Sequence, residues 1–278
     1  MAHYDTILAS FRSLRRLGRD PEYRRASAFS FIYGLYPRRR PSWVTINGVR
    51  THFCDASSFT HQYEEIFANR TYEFATDNPH PLILDLGANV GVSVLFFKSR
   101  YPGARVIAYE ADPKVFDFLR RNVLAHRLAG VEIHNVAVWT ERGEIPFESD
   151  GADAGRLGER MGKAGSIVVP TVPIAEILLG HERIDFLKLD IEGAEDDVLP
   201  ACDGLLGRVD NLFLEYHSTT SRPQKLDELV GMLKRAGFRL SIAPEYALPA
   251  PFLKRPHERH FDLQLNISAY RPIPATSQ

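Results

Sequence analysis

The sequence predicts an α/β fold in which helices cover both faces of a doubly wound, mostly parallel sheet. From residue 81 onward, short apolar runs with strand character alternate with segments whose apolar residues recur at helical spacing. The first unit, residues 81–97, changes from one period to the other at a turn that contains two glycines. Repeated βα units of this length align neighbouring strands in parallel and distribute the helices over the two faces.

The first 80 residues predict an extension ahead of the α/β domain at residues 81–278, with helical and hairpin elements that supply a lid, substrate contacts or oligomer contacts. Residues 5–19 have the pattern of a basic amphipathic helix. It either meets phosphates or anionic lipid, or packs on the body with a solvated arginine face. An aromatic-rich segment at 27–36 ends in a linker-like break at 37–41. Residues 43–53 alternate around Asn47-Gly48, which predicts a hairpin, and residues 61–74 predict a helix.

The same two periodicities predict the later elements. We expect strands at residues 82–86, 105–110, 131–138, 184–190, 211–216, 238–242 and 261–267. Helices are expected after the glycine turn, from residue 113, and at 174–179, 194–202 and 223–236; Asp112 suits the N-cap of the second helix and Pro113 its first position. Two short strands at 144–148 and 166–172 predict an inserted hairpin around a mobile, glycine-rich tip at 151–165.

Composition narrows the class of protein. The 278 residues carry a net charge of −1, which gives no global field for nucleic acid. Two cysteines, Cys54 and Cys202, are too few for a disulfide framework, and a reducing cytoplasm fits them best. No apolar run reaches the length of a membrane span, and no apolar signal core stands at the N-terminus, so we expect neither a transmembrane segment nor export. The sequence leaves a homo-oligomer open.

The turn after the first strand predicts a cofactor site. It reads Asp85-Leu-Gly87-Ala-Asn89-Val-Gly91, and helix starts at the carboxyl ends of parallel strands present backbone N–H groups to ligands. A dinucleotide fingerprint requires glycine at the place of Asn89, because the pyrophosphate approaches the backbone there. A cofactor without a pyrophosphate fits the bulkier turn, and S-adenosylmethionine is the obvious candidate. Asp85 either contacts the cofactor or fixes the turn.

Two further residues extend this site. Glu110 ends the second strand, where a carboxylate accepts hydrogen bonds from ribose hydroxyls and repels a 2′-phosphate. A solvated strand end is the alternative for this residue. Asn135, at the end of the third strand, has an amide that could read an adenine edge, although asparagines at strand ends are common.

Acidic and imidazole groups follow two later strands. Asp190 and Glu192 come after an apolar strand, while Glu215 and His217 share one side of the next strand's end, so Asp190, Glu215 and His217 are expected to converge. Two mechanisms stay open. His217 is a general base with a pKa near neutrality, or Asp190, Glu215 and His217 bind a divalent cation such as Mg²⁺ that acidifies a hydroxyl. For His257 and His260 we prefer a structural role.

These motifs together resemble the FkbM family of methyltransferases. The resemblance rests on Leu84-Asp-Leu-Gly-Ala-Asn-Val-Gly91, Tyr109-Glu-Ala-Asp-Pro113, Asn135-Val-Ala-Val138, Leu187-Lys-Leu-Asp-Ile-Glu-Gly-Ala-Glu195 and Leu214-Glu-Tyr-His217. It covers about residues 60–245. It implies a seven-stranded Rossmann-like sheet with one antiparallel strand, S-adenosylmethionine as methyl donor, and O-methylation of a small-molecule hydroxyl acceptor, a sugar or polyketide-type natural product. It further implies that Asp85, Gly87, Asn89, Gly91 and Glu110 line the cofactor site.

Two other functions stay open on the sequence. One is an NAD-dependent oxidoreductase acting on a nucleotide-sugar, which Asn89 disfavours. The other is a non-catalytic protein that binds an adenosine cofactor and docks through its basic N-terminus, which the complete set of strand-end acids disfavours.

Overall fold

The structure, a computed structural model, describes residues 16–148, 156–157, 166–220, 222–246, 252–253 and 261–272. Most of the basic helix expected at 5–19, most of the glycine-rich tip at 151–165, and both His257 and His260 lie outside the described residues. None of the helices in the described ranges combines the length and the apolarity of a membrane span.

The extension contains two helices and a hairpin. Helix α1 (Pro21–Tyr33) is followed by strands β1 (Ser42–Ile46) and β2 (Val49–Phe53), which pair antiparallel, and by α2 (Ala56–Tyr63), which continues as a π-helical turn at Glu64–Ala68. The hairpin prediction is confirmed, since Asn47 and Gly48 both have positive φ, as its turn requires.

Two segments of the extension have bounds that the sequence pattern did not give. The aromatic-rich segment belongs to α1, whose start is set by Asp20: its carboxylate accepts hydrogen bonds from the N–H groups of Glu22 and Tyr23. The helix expected at 61–74 begins earlier and ends sooner. Asp55 caps it by accepting from the N–H of Ser58, and the π-helical turn ends at Ala68.

The α/β units follow in the expected order. They begin with β3 (Leu82–Leu86), α3 (Val92–Arg100), β4 (Arg105–Tyr109), α4 (Pro113–Ala125) and β5 (Val131–His134). An insertion contributes β6 (Ala137–Trp139), β7 (Gly143–Glu148), β8 (Arg156–Leu157) and β9 (Ser166–Pro173). The chain then continues with α5 (Ile174–Leu179), β10 (Ile184–Leu189), α6 (Glu195–Val198), β11 (Val209–Thr219), α7 (Leu226–Arg235), β12 (Arg239–Tyr246) and β13 (Phe261–Tyr270).

The insertion differs from its prediction in one respect. Strands β7 and β9 pair antiparallel, as expected for the inserted hairpin. The strand expected at 131–138 is divided, however: β5 joins the large sheet, whereas β6 pairs with β9 in a second sheet. The break between them, at residues 135–136, lets the chain leave the large sheet beside the carboxyl end of β4.

A seven-stranded sheet in the described residues has the order β12-β13-β11-β10-β3-β4-β5. The pairs from β11 to β5 are parallel, and β13 runs antiparallel to both of its neighbours. The predicted fold class, a mostly parallel Rossmann-like sheet, is confirmed.

The two faces of this sheet carry separate cores. Ile83 and Phe213 face one cluster that also contains Phe59 and Tyr63 of α2, so the extension covers that face. Leu84 and Leu214, their alternate neighbours along the strands, face a second cluster built from the later helices. The extension and the sheet therefore share a core, which places α2 beside the carboxyl ends of the strands.

Candidate functional site

A cleft opens at the carboxyl ends of β3, β4, β10 and β11. Residues that follow three of these strands line it, namely Gly87, Glu110 and Asp190, together with Glu215 of β11 and residues of the π-helical turn. The cleft holds about 1130 Å³ of empty space, its open mouth included. This is the place where an open parallel sheet with reversed strand order presents its ligand site.

Close packing around two glycines fixes the conformation of the glycine turn. Gly87 has φ +91°, and a Cβ added to it would lie 1.7 Å from the carbonyl oxygen of Asp190. Gly91 (φ +90°) stands at the N-terminus of α3, where a Cβ would come within 2.7 Å of the Leu119 side chain. Asn89, with φ 49°, adopts the left-handed conformation that asparagine tolerates. Glycine is required at positions 87 and 91, whereas position 89 accepts a side chain at the cleft wall.

Glu110 locks this turn to the end of β4. Its two carboxylate oxygens accept hydrogen bonds from the N–H groups of Asn89 (2.9 Å) and Asp112 (2.8 Å). Burial raises the pKa of Glu110 to about 7, against the lowering effect of these two bonds. Each oxygen keeps a further lone pair, so this carboxylate can accept hydrogen bonds from ligand hydroxyls.

Asn135 lies beside the cleft and is not among its lining residues. Its amide nitrogen donates to the carbonyl oxygens of Glu110 (2.9 Å) and Ala111 (3.2 Å). Both of its N–H bonds are used in this way, so Asn135 fixes the loop that carries Glu110. The structure gives it a positioning contact, and the contact with an adenine edge stays a prediction.

Lys188 is buried beneath the glycine turn and contacts three groups there. It was not assigned to the site from the sequence. Its ammonium donates to the carbonyl oxygen of Gly87 at 2.7 Å and lies 3.0 Å from Asp190 and 3.5 Å from Asp85. Burial opposes its charge, but Asp190 and Asp85 outweigh burial, so its pKa is raised. A lysine inside an otherwise apolar strand was the signal in the sequence.

Asp85 is fully buried and does not line the cleft. Burial raises its pKa, while Lys188 and a 2.5 Å hydrogen bond from the Ser93 hydroxyl oppose the rise. Asp85 thus holds Lys188 and the start of α3 in place. Of the two alternatives for this residue, the geometry supports the structural one.

His217 is buried among carboxylates. Its Nδ1 lies 3.3 Å from Glu195, and its Nε2 lies 3.3 Å from Glu215 and 3.8 Å from Glu192. Burial disfavours the imidazolium, but Glu195 and Glu192 prevail and raise the pKa of His217 well above its usual value. A protonated imidazole has no lone pair left to accept a proton, so this environment favours the cationic form over a general base with a near-neutral pKa, and the catalytic role of His217 stays a prediction.

The predicted convergence of strand-end groups is observed. Asp190, Glu215 and His217 each offer a ligand atom, and these atoms lie within 4.8 Å of one another. The loop after β10 reverses direction and brings Glu195 to His217. Glu192 (φ 59°) and Gly193 (φ 97°) turn the chain back, so that the buried Glu195 accepts from the Gly193 N–H.

Sequence reasoning missed a second group of cleft residues. His61 forms a 2.7 Å ion pair with Glu245 of β12, and Glu65 accepts a 2.9 Å hydrogen bond from Asn266 of β13, which is 201 residues away in the chain. The hydrogen bond that His61 donates to the Glu245 carboxylate is the main reason why the pKa of His61 rises to about 9. No motif links these positions, since only the packing of the extension against the edge of the sheet brings them together.

The cleft thus has two chemically different halves. In the glycine-turn half, Gly87, Asn89 and Glu110 face the apolar side chains of Val115, Val138 and Phe147. In the acidic half, the lining carboxylates are Glu65, Asp190, Glu192 and Glu215. One half suits an aromatic ring with attached hydroxyls, and the other suits a polar or cationic group.

Comparisons with known proteins fit this geometry. The family model described as "Methyltransferase FkbM domain" matches residues 85–240. Methyltransferase sdnD of Sordaria araneosa is 31% identical over 51% of this chain and 68% of its own length. The 31-O-demethyl-FK506 methyltransferase FkbM of Streptomyces tacrolimicus is 27% identical over 69% of this chain and 86% of its own. The hexuronic acid methyltransferase AglP of Haloferax volcanii is 26% identical, over 55% and 62%.

Proposed function

This chain belongs to the FkbM family of S-adenosylmethionine-binding methyltransferases, and from that premise we propose that it transfers the methyl group to a hydroxyl oxygen of a sugar or polyketide-type natural product. The observation that carries the proposal is the division of one cleft into a glycine-turn half and an acidic half. A donor in the first half and an acceptor in the second meet inside a single cavity.

The glycine-turn half supports binding of the adenosine part of the cofactor. Glu110 offers free lone pairs for ribose hydroxyls, and Val138 and Phe147 offer apolar surface for the adenine ring. Asn89 stands where a dinucleotide turn requires glycine, which favours this cofactor over NAD. We propose Asp85 and Gly91 as supports of this site and Gly87, Asn89 and Glu110 as its walls.

The acidic half supports transfer from a cationic donor. The sulfonium of S-adenosylmethionine carries a positive charge that is lost when the methyl group leaves, and carboxylates nearby favour its binding. Methyl transfer needs in-line approach of the acceptor oxygen to the methyl carbon, so most of the catalytic effect comes from orientation. Asp190 and Glu215, both at the cleft wall, are proposed to orient the acceptor through hydrogen bonds.

A divalent cation such as Mg²⁺ stays a proposal for this half. The donor set fits one: Glu195 holds Nδ1 of His217, and Nε2 faces Glu215 at 3.3 Å. Asp190, Glu215 and His217 would hold the ion, and His217 would bind it in its neutral form. When bound, the ion would acidify the acceptor hydroxyl.

The class of acceptor is proposed from the names of two relatives. One is named as a 31-O-demethyl-FK506 methyltransferase and the other as a hexuronic acid methyltransferase. Carboxylates that line a cleft are suited to such acceptors, because each one can accept hydrogen bonds from neighbouring hydroxyls.

The test is methyl transfer to a panel of acceptors. The purified chain is incubated with methyl-labelled S-adenosylmethionine and with glucuronic acid, methyl glucosides or 31-O-demethyl-FK506, and products are identified by mass spectrometry and NMR. A labelled O-methyl ether is expected. Label on nitrogen or carbon only would contradict the proposal, as would thermal stabilisation of the chain by NAD without stabilisation by S-adenosylhomocysteine.

A further inference from the structure

Glu65 differs from the other carboxylates of the acidic half in having no cation at ion-pair distance among the described residues, although a ring nitrogen of His61 lies within 4.8 Å of its carboxylate. Asp190 pairs with Lys188 at 3.0 Å, and Glu215 and Glu192 lie 3.3 and 3.8 Å from Nε2 of His217. Among the residues that the structure describes, Glu65 forms no ion pair, and its hydrogen-bond partner is the neutral amide of Asn266. Glu65 is therefore the carboxylate with most capacity left for a ligand.

The backbone holds Glu65 firmly at the cleft wall. It lies on the π-helical turn Glu64–Ala68, whose residues Ile66 and Phe67 are buried in the core that the extension shares with the sheet. π-Helical turns are frequent at functional sites. The amide of Asn266 donates to Oε1, and Oε2 accepts no hydrogen bond within the described part of the chain.

The groups around Glu65 favour a bound proton. Glu215 of β11, Glu245 of β12 and Asp190 after β10 face it from the sheet, and His61 faces it from its own helix. Burial first, and then the three carboxylates, raise the pKa of Glu65 to about 8, against the lowering effect of His61. A carboxylate with such a pKa has a proton affinity suited to general-base catalysis near neutral pH.

We propose that Glu65, supplied by the extension, is the catalytic base of the methyl transfer, a role that rests on the proposed function. The acceptor oxygen forms a bond to the methyl carbon as the carbon–sulfur bond breaks, and the hydroxyl proton passes to the Glu65 carboxylate. The products are a methyl ether, the neutral thioether S-adenosylhomocysteine and protonated Glu65, which returns its proton to water. Glu65 lies outside the residues matched by the family model.

The proposed role of Glu65 affects proton release on cofactor binding, which can be measured without an identified acceptor. At pH 7 the free protein holds a proton on most copies of Glu65, because the pKa is about 8. The positive sulfonium of S-adenosylmethionine favours ionised Glu65 in the same cleft, whereas the neutral thioether of S-adenosylhomocysteine does not. Binding of the donor is therefore expected to release more protons than binding of the product.

Isothermal titration calorimetry measures this difference. The heats of binding of S-adenosylmethionine and of S-adenosylhomocysteine are compared at pH 7 in phosphate and in Tris, whose ionisation enthalpies differ. The wild type is expected to release up to about one proton more with the donor than with the product. Glu65→Gln abolishes this excess, and the matched control Glu64→Gln, on the same turn but outside the cleft lining, retains it.

The outcomes separate the two proposals. An equal proton release for both ligands in the wild type, or an excess that survives in Glu65→Gln, overturns the role of Glu65 and leaves the proposed function standing. Failure of the wild type to bind either ligand overturns the proposed function itself. The Glu65→Gln side chain keeps an oxygen that accepts from the Asn266 amide. If the melting temperature of this variant shows that it misfolds, Glu65→Asp is used instead. The Glu65→Asp variant is expected to retain part of the excess proton release.

Turnover provides the second readout. With an acceptor found in the panel, Glu65→Gln is expected to lower kcat by about 10²–10⁴-fold while the KM for S-adenosylmethionine stays within a factor of about three. The ionisation near pH 8 disappears from its pH profile. An unchanged kcat contradicts the proposal.

Discussion

The two halves of the cleft are built in different ways. The glycine-turn half uses residues close in sequence, and its central contacts are backbone contacts: Glu110 accepts from the N–H groups of Asn89 and Asp112. The acidic half uses side chains from distant segments, so that Glu65 of the extension meets Asn266 of β13, and Glu195 meets His217 of β11. The glycine-turn half is formed by residues close in sequence and depends on steric fit. The acidic half is formed by residues far apart in sequence and depends on charge.

This difference determines how each half responds to change. A steric site fails when an atom is added, and the steric fit itself does not depend on salt or pH. An electrostatic site fails when a charge is removed, because the partner charges stay buried. Burial first, and then neighbouring carboxylates, raise the pKa values of Glu65 and Glu192, so negative charge is crowded in the acidic half. A cationic ligand would relieve this crowding, so we expect ligand charge to matter in this half and ligand shape in the other.

The largest expected effect tests the steric origin of the glycine-turn half. Gly87→Ala places a Cβ 1.7 Å from the Asp190 carbonyl oxygen, so the chain must shift. We expect a loss of about 4 kcal/mol or more in the free energy of unfolding, measured by urea denaturation, and loss of binding to S-adenosylhomocysteine. Gly204→Ala is the matched control, since Gly204 has φ +78° with nothing within 4 Å, and it should cost only about 1–2 kcal/mol. Equal costs would contradict the steric explanation.

The next effect tests the electrostatic origin of the acidic half. His217→Gln removes the imidazolium from between Glu195 and Glu215 and should cost about 3–5 kcal/mol of unfolding free energy. Because the pKa of His217 is raised on folding, its contribution is fully present below pH 6.5 and is lost as pH rises through the folded-state pKa. His80→Gln, at an exposed histidine, is the control. A cost below about 1 kcal/mol at pH 7 would argue against a charged His217.

A smaller effect concerns cofactor affinity in the glycine-turn half. Glu110→Gln should weaken binding of S-adenosylhomocysteine by about 10–100-fold, because a charged acceptor for hydroxyl groups is lost. The pKa of Glu110 is about 7, so wild-type affinity should fall as pH decreases through that value. Calorimetry between pH 6 and pH 9 measures both changes. The variant should show a flat profile, and Glu132→Gln, at an exposed residue of the neighbouring strand β5, should behave as wild type.

The smallest effect is a gain in stability in the acidic half. The pKa of Glu65 is raised from 4.5 to about 8 on folding, so the folded chain keeps a proton that the unfolded chain releases between those values. Stability therefore falls as pH rises across this window. Glu65→Gln should raise the melting temperature at pH 9 by about 2–4 °C, equivalent to ~1 kcal/mol, and should leave it unchanged at pH 4. A variant that melts lower than wild type at pH 9 would contradict the crowding of negative charge.

The sequence predicted the glycine-turn half well because its signals are local. The period change after β3, the two required glycines and the carboxylate at the end of β4 all lie in one stretch of two βα units. Asp190, Glu215 and His217 could also be predicted to converge, since the carboxyl ends of adjacent parallel strands meet at one edge of a sheet. Their protonation states could not be predicted, because the deciding partner of His217 is Glu195, which reaches it only through a left-handed turn at Glu192.

By itself, the sequence determined the fold class, the family and the position of the glycine turn, because periodicity and glycine spacing act over a few residues. The tertiary structure alone decided what the acidic half contains. It brought Glu65 and His61 of the extension to Asn266 and Glu245 of the edge strands, and it placed Lys188 between Asp85 and Asp190. Burial and the number of charges around a group set its pKa, and both depend on residues that are far apart in the chain.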